Sequence, residues 1–220
     1  DELQSATFRQ SFRNEAWAMA RLDHRGIVMV FDQGEIPAEV AKASEGRLQA
    51  GAPYLVMDLV DGGVLSDRPP RSFWELKKTL LLLLDALAHA HARGVIHRDL
   101  KPANVLLDPQ PLRSGGLQLT DFGIAHAAEQ SLAAVDPGAA PVMGTLHYMA
   151  PEQMDGRWRE FGPATDLYSL GCIAWELATG GRPFDSEDPI ELMDLHLEEP
   201  PPPLVPRFAV PEGFEGWLES

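Results

Sequence analysis

The chain has 220 residues, of which 45% are hydrophobic, enough to bury the core of one compact unit. Acidic residues outnumber basic ones by 33 to 18, which gives a formal net charge of −15 at pH 7. Nucleic acids and anionic membranes attract clustered Lys and Arg, so this charge argues against either as the principal partner. A nucleotide ligand remains compatible with the charge because metal ions can neutralise its phosphates locally.

Cysteine content and hydropathy bear on the cellular location. Cys172 is the only cysteine, so no intrachain disulfide can form, which fits a reducing cytoplasm. Apolar runs such as Leu80 to Leu84 reach at most five residues, whereas roughly 20 are needed to span a bilayer. The chain begins at Asp1 with neither an initiating Met nor the basic start of a signal peptide. We therefore expect a cytoplasmic part of a longer protein, with any membrane anchor located elsewhere in it.

Hydrophobic periodicity predicts a series of helices and strands. In chain order these are a helix over 7–22, strands at 27–31 and 54–60 joined by a loop at 35–53, a long helix over 71–93, short strands at 105–107 and 117–120, and helices at 166–179 and 190–197. Gly94 supplies the stop signal of the long helix. The four prolines at 200–203 predict a connector between helices in preference to a polyproline ligand.

The order of these elements predicts an α+β fold with two lobes. The early part combines a helix with strands, and the later part is mainly helical. The Asp58-Leu59-Val60 stretch lies between them. We expect a small lobe at 1–57, a hinge at 58–62 and a larger lobe at 63–220.

One segment concentrates reactive side chains: His97-Arg98-Asp99-Leu100-Lys101-Pro102-Ala103-Asn104. Phosphoryl transfer needs a carboxylate that orients the attacking hydroxyl and accepts its proton, and Asp99 fits this role. Lys101 can neutralise charge on the moving phosphate. Asn104 and Asp121, seventeen residues apart, offer hard oxygen ligands suited to Mg²⁺. The alternative is a surface loop with ordinary Asp and Lys residues.

Three motifs in order carry a family resemblance: the segment 97–104, then Asp121-Phe122-Gly123, then Met149-Ala150-Pro151-Glu152. Together they resemble the catalytic half of a protein kinase, and the form they resemble most is the bacterial Hanks-type (eukaryotic-like) serine/threonine kinase. The resemblance runs from about residue 8 to the end of the chain. It implies a bilobal fold with an incomplete small lobe, made of one helix and two strands, and a mainly helical large lobe. It also implies transfer of the γ-phosphate of ATP, with Mg²⁺ or Mn²⁺, to Ser or Thr hydroxyls of protein substrates.

The resemblance assigns nucleotide-binding and substrate-binding roles to further residues. Glu15 matches the glutamate that pairs with an ATP-gripping lysine. Met57 resembles the residue at the back of the adenine pocket, Asp58 and Val60 would offer backbone groups to adenine, and Leu106 would pack beneath its ring. Thr145 would hydrogen-bond near Asp99 and Lys101 and favour Ser/Thr acceptors.

Supporting roles are implied for residues around this centre. The resemblance places His97 in a packed column with Met19, Val30 and Phe122, as a structural residue. Asp166 would hold the backbone of the catalytic segment. Glu176 would either hold a substrate arginine or simply pack against its neighbours, and both readings stay open. For His89 and His91 we expect packing or solvent exposure, since their spacing does not suit a shared metal.

The segment between Asp121 and Glu152 corresponds to an activation loop. Arg98, beside the expected base, could pair with a phosphate on this loop and order it. Ser131 is the only Ser or Thr between Gly123 and Gly144, which makes it the candidate phosphosite. A loop that stays unmodified is the alternative.

Two departures from the family pattern concern the ends of the chain. The lysine that pairs with Glu15 would precede Asp1, with the glycine-rich loop further upstream, and the arginine that pairs with Glu152 would follow Ser220. We therefore expect a chain truncated at both ends, weak or inactive alone, within an active parent kinase. The alternatives are a pseudokinase-like binding or scaffold module and a small-molecule phosphotransferase of the aminoglycoside or choline type.

Overall fold

The computed structural model describes residues 12–14, 16–110, 115–122 and 146–218. Helical turns at 12–14 and 16–19 are followed by β1 (Val30–Glu35), α1 (Ala38–Ala43), β2 (Pro53–Met57), α2 (Phe73–His91), β3 (Val105–Leu107), β4 (Leu117–Leu119), α3 (Pro151–Met154), α4 (Pro163–Thr179), α5 (Pro189–Glu198) and α6 (Phe214–Leu218). The strands lie in the first 119 residues, and the longest helices follow or flank them. The predicted α+β class is confirmed.

The four strands in the described ranges form two small antiparallel sheets. In the first, Val30 of β1 pairs with Met57 of β2, and in the second, Leu106 of β3 pairs with Gln118 of β4. The segment that precedes β1 attaches to the second sheet, because the Val28 amide donates to the Leu119 carbonyl at 2.9 Å. The early part of the chain is thereby hydrogen-bonded to the region that carries the candidate active site.

The predicted boundaries of the first two strands were wrong by several residues. β1 covers 30–35 instead of 27–31, because Ile27 pairs with Leu119 of β4 and not with β2. β2 ends at Met57 instead of Val60. Its predicted continuation contains Leu59, an apolar residue that is 91% exposed. Partners elsewhere in the chain set these boundaries, and local hydrophobicity does not record them.

The predicted loop at 35–53 contains a helix, α1, which the sequence pattern did not reveal. None of its six residues is buried, so it has no apolar face for a periodicity analysis to detect. Glu39 in its first turn and Lys42 in its last turn have the charge signs that a helix favours at those ends. Helix α1 is therefore supported by local charge and not by core packing.

The long helix α2 agrees with its prediction to within two residues at each end. Its N-terminus is capped by the Ser72 hydroxyl, which accepts a hydrogen bond from the Glu75 amide at 3.3 Å, while the Glu75 carboxylate accepts one from the Arg71 amide at 2.7 Å. Gly94 follows with φ of +74°, the left-handed conformation that ends many helices. The helix leads directly into the segment that begins at His97.

One main core joins both parts of the chain. It includes Met19 and Val30 from the early part, Leu87 of α2 and Ile173 of α4. Helix α4 is the central element, since ten of its residues are buried. A smaller apolar cluster forms around Leu146, Phe184 and Leu192. Among the described residues, no helix has both the length and the apolar character required to cross a bilayer.

Candidate active site

The structure brings Asp99, Lys101 and Asn104 together around one carboxylate. Lys101 Nζ lies 2.9 Å and 2.8 Å from the two carboxylate oxygens of Asp99. The Asn104 amide nitrogen donates to Asp99 Oδ2 at 3.0 Å and to its backbone carbonyl at 2.8 Å. A short 3-10 helix at Pro102–Asn104 holds the amide in this position. Asp99 is 8% exposed, so its orientation is fixed by charge-assisted hydrogen bonds in a largely water-poor setting.

Asn104 and Asp121 provide oxygen atoms on adjoining segments. The Thr120 amide donates to the Asn104 carbonyl at 3.0 Å, which ties the end of β4 to the 3-10 helix. Both side-chain hydrogen bonds of Asn104 use its nitrogen, and within the described residues none is donated to its amide oxygen. Asp121 and Arg98 have φ of +61° and +65°, conformations that non-glycine residues rarely adopt and that concentrate at functional sites.

This donor set fits a hard divalent cation better than a soft one. In the part of the chain that the structure describes, no group of three His, Cys, Asp or Glu side chains is placed to hold a metal. One carboxylate and one amide oxygen match the few protein ligands that Mg²⁺ takes when phosphate oxygens and water complete its octahedron. The residues present therefore fit a metal bound together with a phosphate ligand.

Asp166 of α4 holds the backbone of the segment that begins at His97. Its carboxylate is fully buried and accepts hydrogen bonds from the His97 amide at 2.8 Å and the Arg98 amide at 2.9 Å. His91 Nε2 lies 2.7 Å from the same carboxylate. The predicted contact between Asp166 and this backbone is confirmed. The contact of His91 with Asp166 was not predicted. The one feature of the sequence that could have indicated it is the position of His91 in the last turn of the helix that leads into this segment.

The His97 side chain is a packing residue. Its ring is fully buried and lies 4.4 Å, centroid to centroid, from the Phe122 ring. Burial lowers the pKa of His97 below its ordinary value, so the ring is neutral near pH 7. Met19 and Val30 belong to the same core as Phe122. The structural interpretation of His97 is thus supported, since a proton shuttle needs contact with solvent or substrate.

The residues expected to surround adenine lie along the connection that follows β2. Met57 ends this strand, and the Thr120 hydroxyl lies 3.8 Å from its sulfur. The Asp58 amide donates to the Met29 carbonyl at 3.0 Å. Within the described residues, no hydrogen bond involves the Asp58 carbonyl or either backbone group of Val60. These groups are therefore available to a planar ligand with its own donors and acceptors.

The next residues fix this connection to β3, which carries Leu106. The Leu107 amide donates to the Gly63 carbonyl at 2.9 Å, and Val64 forms an isolated bridge with Leu106. A Cβ atom on Gly62 would collide with the Leu107 carbonyl oxygen. The backbone of the connection thus approaches β3 more closely than any residue with a side chain permits.

Two further contacts organise the segment after residue 146. The Tyr148 hydroxyl donates to Glu176 Oε2 at 2.5 Å, and burial raises the pKa of that phenol above its ordinary value. This contact favours the packing interpretation of Glu176. The Thr165 hydroxyl donates to Glu152 Oε1 at 2.6 Å, so Glu152 has a hydrogen-bond donor on α4 that the sequence analysis missed.

Three predicted site residues, Glu15, Thr145 and Ser131, lie outside the described residues. Their roles stay predictions.

Comparison with known proteins gives a consistent family. A sequence model of the protein kinase domain matches residues 1–203. The chain is 40% identical over 203 residues to serine/threonine-protein kinase PknA of Mycobacterium tuberculosis, covering 90% of this chain and 43% of the relative. It is 36% identical over 210 residues to serine/threonine-protein kinase PknB of Mycobacterium leprae, covering 92% and 30%. The chain thus spans less than half the length of these curated relatives. Because this family model matches most of its residues, the chain belongs to the protein kinase family.

Proposed function

We propose that the protein is a serine/threonine protein kinase that transfers the γ-phosphate of ATP to Ser or Thr hydroxyls of other proteins. The observation that carries this proposal is the cluster around Asp99, in which Lys101 Nζ and the Asn104 amide hold one buried carboxylate. Asp99 would accept the proton of the attacking hydroxyl, and Lys101 would neutralise charge on the transferred group. Thr145, by family resemblance, would position the acceptor beside both.

Protein kinases as a family use ATP and a divalent metal ion. We propose Mg²⁺, with Mn²⁺ as an alternative, held by the Asn104 amide oxygen and the Asp121 carboxylate. When bound, the metal would neutralise phosphate charge and align the phosphates for transfer. The chain's own contribution is to position these two oxygens through the hydrogen bond between the Thr120 amide and the Asn104 carbonyl.

The nucleotide base would bind against the connection that follows β2. The Asp58 carbonyl and the Val60 backbone groups would pair with adenine, with Met57 behind the ring and Leu106 beneath it. Support comes from the lack of competing hydrogen bonds at these groups within the described residues. Glu15 keeps its proposed role as partner of an ATP-gripping lysine. The lobe boundaries at 57 and 63 are proposed on the same basis.

Ser131 remains the proposed site of activating phosphorylation. Mass spectrometry of the active protein should find phosphate on Ser131. Removal of this phosphate by a phosphatase should lower the rate of phosphoryl transfer. Active protein in which Ser131 is always unmodified would instead support the alternative of an unmodified loop. A cytoplasmic location for this part of the protein is also proposed, on the ground that Cys172 is its single cysteine.

The decisive experiment is phosphoryl transfer from ATP by the longest natural protein that contains this sequence, with Asp99→Asn beside it. We expect label on Ser or Thr of a protein substrate and a rate lowered about 10²- to 10⁴-fold in the variant, the usual contribution of a general base. Asp194→Asn makes the same chemical change on the exposed face of α5 and should leave the rate unchanged.

Two controls separate catalysis from folding and from binding. The thermal midpoint and ATP affinity of Asp99→Asn should stay near those of the unmodified protein. Measurable ATP binding without any transfer would contradict the proposal and favour a binding or scaffold module. Transfer only to small alcohols such as choline would favour a small-molecule phosphotransferase.

A further inference from the structure

The outward face of α2 carries side chains that the candidate active site does not use. Trp74, Lys78, Leu81 and Asp85 recur at intervals of four, three and four residues, which places them on one side of the helix, and Lys77 adjoins Lys78. Together with Arg25 and Leu82 they line an open groove of about 500 Å³, called the α2 patch below. The other side of α2 packs into the main core.

The charge of the α2 patch opposes that of the chain as a whole. Three of its seven residues are cationic and one is acidic, although the chain carries a formal net charge of −15. Asp85 is 3.5 Å from Arg25, which it partly neutralises. Lys77 and Lys78 are exposed and form no ion pair within the described residues. Among the described residues, two ammonium groups that line the groove therefore stay unpaired.

Apolar side chains line the same groove. Trp74 is 71% exposed and Leu81 is 55% exposed, so a large aromatic surface and an aliphatic one both face solvent beside the lysines. Trp and Arg, which both line this groove, are among the residue types that contribute most binding energy in protein interfaces. Trp74 and Leu81 can therefore contact an apolar side chain of a partner, while the neighbouring lysines can contact its charged groups.

We propose that the α2 patch docks an acidic segment of a partner protein, with one apolar side chain of that segment against Trp74 and Leu81 and its carboxylates on Lys77 and Lys78. Charge complementarity selects this occupant. An anionic membrane or a nucleic acid would bring an extended field of phosphates toward a chain of net charge −15. A short acidic peptide meets only the local cations, because salt screens charges beyond about 8 Å.

The proposed docking surface is separate from the phosphotransfer site. None of its residues is a hydrogen-bond partner of Asp99, Lys101 or Asn104 among the described residues, and Lys77, in the part of the patch that carries both lysines, lies fourteen positions from His91 at the end of α2. At a rise of about 1.5 Å per residue this is roughly 20 Å. Binding at the α2 patch can therefore be measured without any catalytic activity, and its failure would leave the proposed function untouched.

The test is fluorescence anisotropy of a labelled peptide, Glu-Asp-Glu-Leu-Phe-Glu-Asp, titrated with the chain. We expect saturable binding that weakens as salt is raised from about 0.05 M to about 0.5 M. The double variant Lys77→Glu/Lys78→Glu should bind at least about tenfold more weakly, because it turns attraction into repulsion. Trp74→Ala should also weaken binding, and do so at high as well as low salt.

Matched controls make the result specific to the groove. Arg21→Glu/Lys42→Glu makes the same change in net charge at exposed positions outside the α2 patch and should keep the affinity within about twofold. A peptide in which every carboxylate is replaced by its amide should not bind. Equal affinity of the Lys77/Lys78 and Arg21/Lys42 variants would overturn the proposal, as would binding to phosphatidylserine vesicles without binding to the peptide.

Discussion

Asp166 contributes to the site only through the groups that it holds. Its buried carboxylate accepts hydrogen bonds from the His97 and Arg98 amides and contacts His91. Asp166→Asn keeps one acceptor oxygen but turns an amide N–H toward existing donors, and we expect it to lower the free energy of unfolding by about 1–3 kcal/mol. Asp166→Ala leaves all these donors without a partner and should cost about 3–5 kcal/mol. Urea unfolding measures both values, and Asp194→Asn, exposed on α5, should change less than about 0.5 kcal/mol. Equal effects at the two positions would contradict this account.

Gly62 has a role that depends on one close backbone contact. A methyl group there would collide with the carbonyl oxygen of Leu107, a backbone atom that cannot move aside alone. We expect Gly62→Ala to lower the free energy of unfolding by about 1–3 kcal/mol and to weaken ATP binding, because the connection after β2 must shift away from β3. The control is Gly181→Ala, where a Cβ meets open space. Unchanged stability and ATP affinity in Gly62→Ala would show that the connection is not closely packed.

At the scale of single elements, α4 contains a glycine that its packing does not require. Gly171 lies inside the helix, and a Cβ atom there would meet nothing within 4 Å. Alanine is favoured over glycine in a helix interior by about 0.8–1 kcal/mol. We therefore expect Gly171→Ala to raise the free energy of unfolding by about 0.5–1 kcal/mol, seen as a higher urea midpoint. A lower urea midpoint would mean that other atoms lie against the helix surface at Gly171 in solution and collide with the added methyl group.

The hydrogen bond between α5 and α4 involves a histidine that should make stability depend on pH. His196 of α5 shares a hydrogen bond of 2.7 Å with the Tyr168 hydroxyl of α4. Burial, and after it the neighbouring His147, lowers the pKa of His196 to about 4 from an ordinary value of 6.5. Between these values the unfolded chain binds more protons at this residue than the folded one. The contribution of His196 to the free energy of unfolding is therefore fully present above pH 6.5 and is lost as the pH is lowered toward 4.

The expected size of this effect has an upper limit. One group contributes at most about 1.4 kcal/mol per pH unit, and the slope is smaller near either pKa, where the difference in bound protons between the folded and unfolded states is less than one. Urea unfolding between pH 6.5 and 5 should show a flatter dependence in His196→Gln than in the unmodified chain. His97, whose pKa is also lowered, keeps its own contribution in both proteins. Identical slopes would contradict the assignment to His196.

At the scale of the whole molecule, the residue pattern predicted local structure, whereas the distant contact of Asp166 with the backbone at His97 and Arg98 was expected only from the family resemblance. The residues from His97 to Asn104 lie within eight positions, and their contacts with Asp99 follow from that spacing. The apolar periodicity of α2 likewise predicted both ends of this helix to within two residues. By contrast, His91 and Asp166 are 75 positions apart, and their pairing depends on how α2 packs on α4. Strand boundaries and α1 were missed for a related reason, since no local apolar pattern marks them.

The shared core leads to a last expectation, about cooperativity. Met19 and Val30 lie in the same core as Leu87 and Ile173, so the early part of the chain has no separate interior among the described residues. The Val28–Leu119 hydrogen bond adds a backbone link between the two parts. We therefore expect 16–57 and 63–218 to unfold in one transition, although two lobes are proposed. Amide hydrogen exchange in rising urea, read by mass spectrometry, should show peptides of β1 and of α4 losing protection at the same concentration, within about 1 kcal/mol. Full exchange in β1 while α4 stays protected would mean that the early part unfolds independently and that the contacts across 58–62 contribute little to its stability.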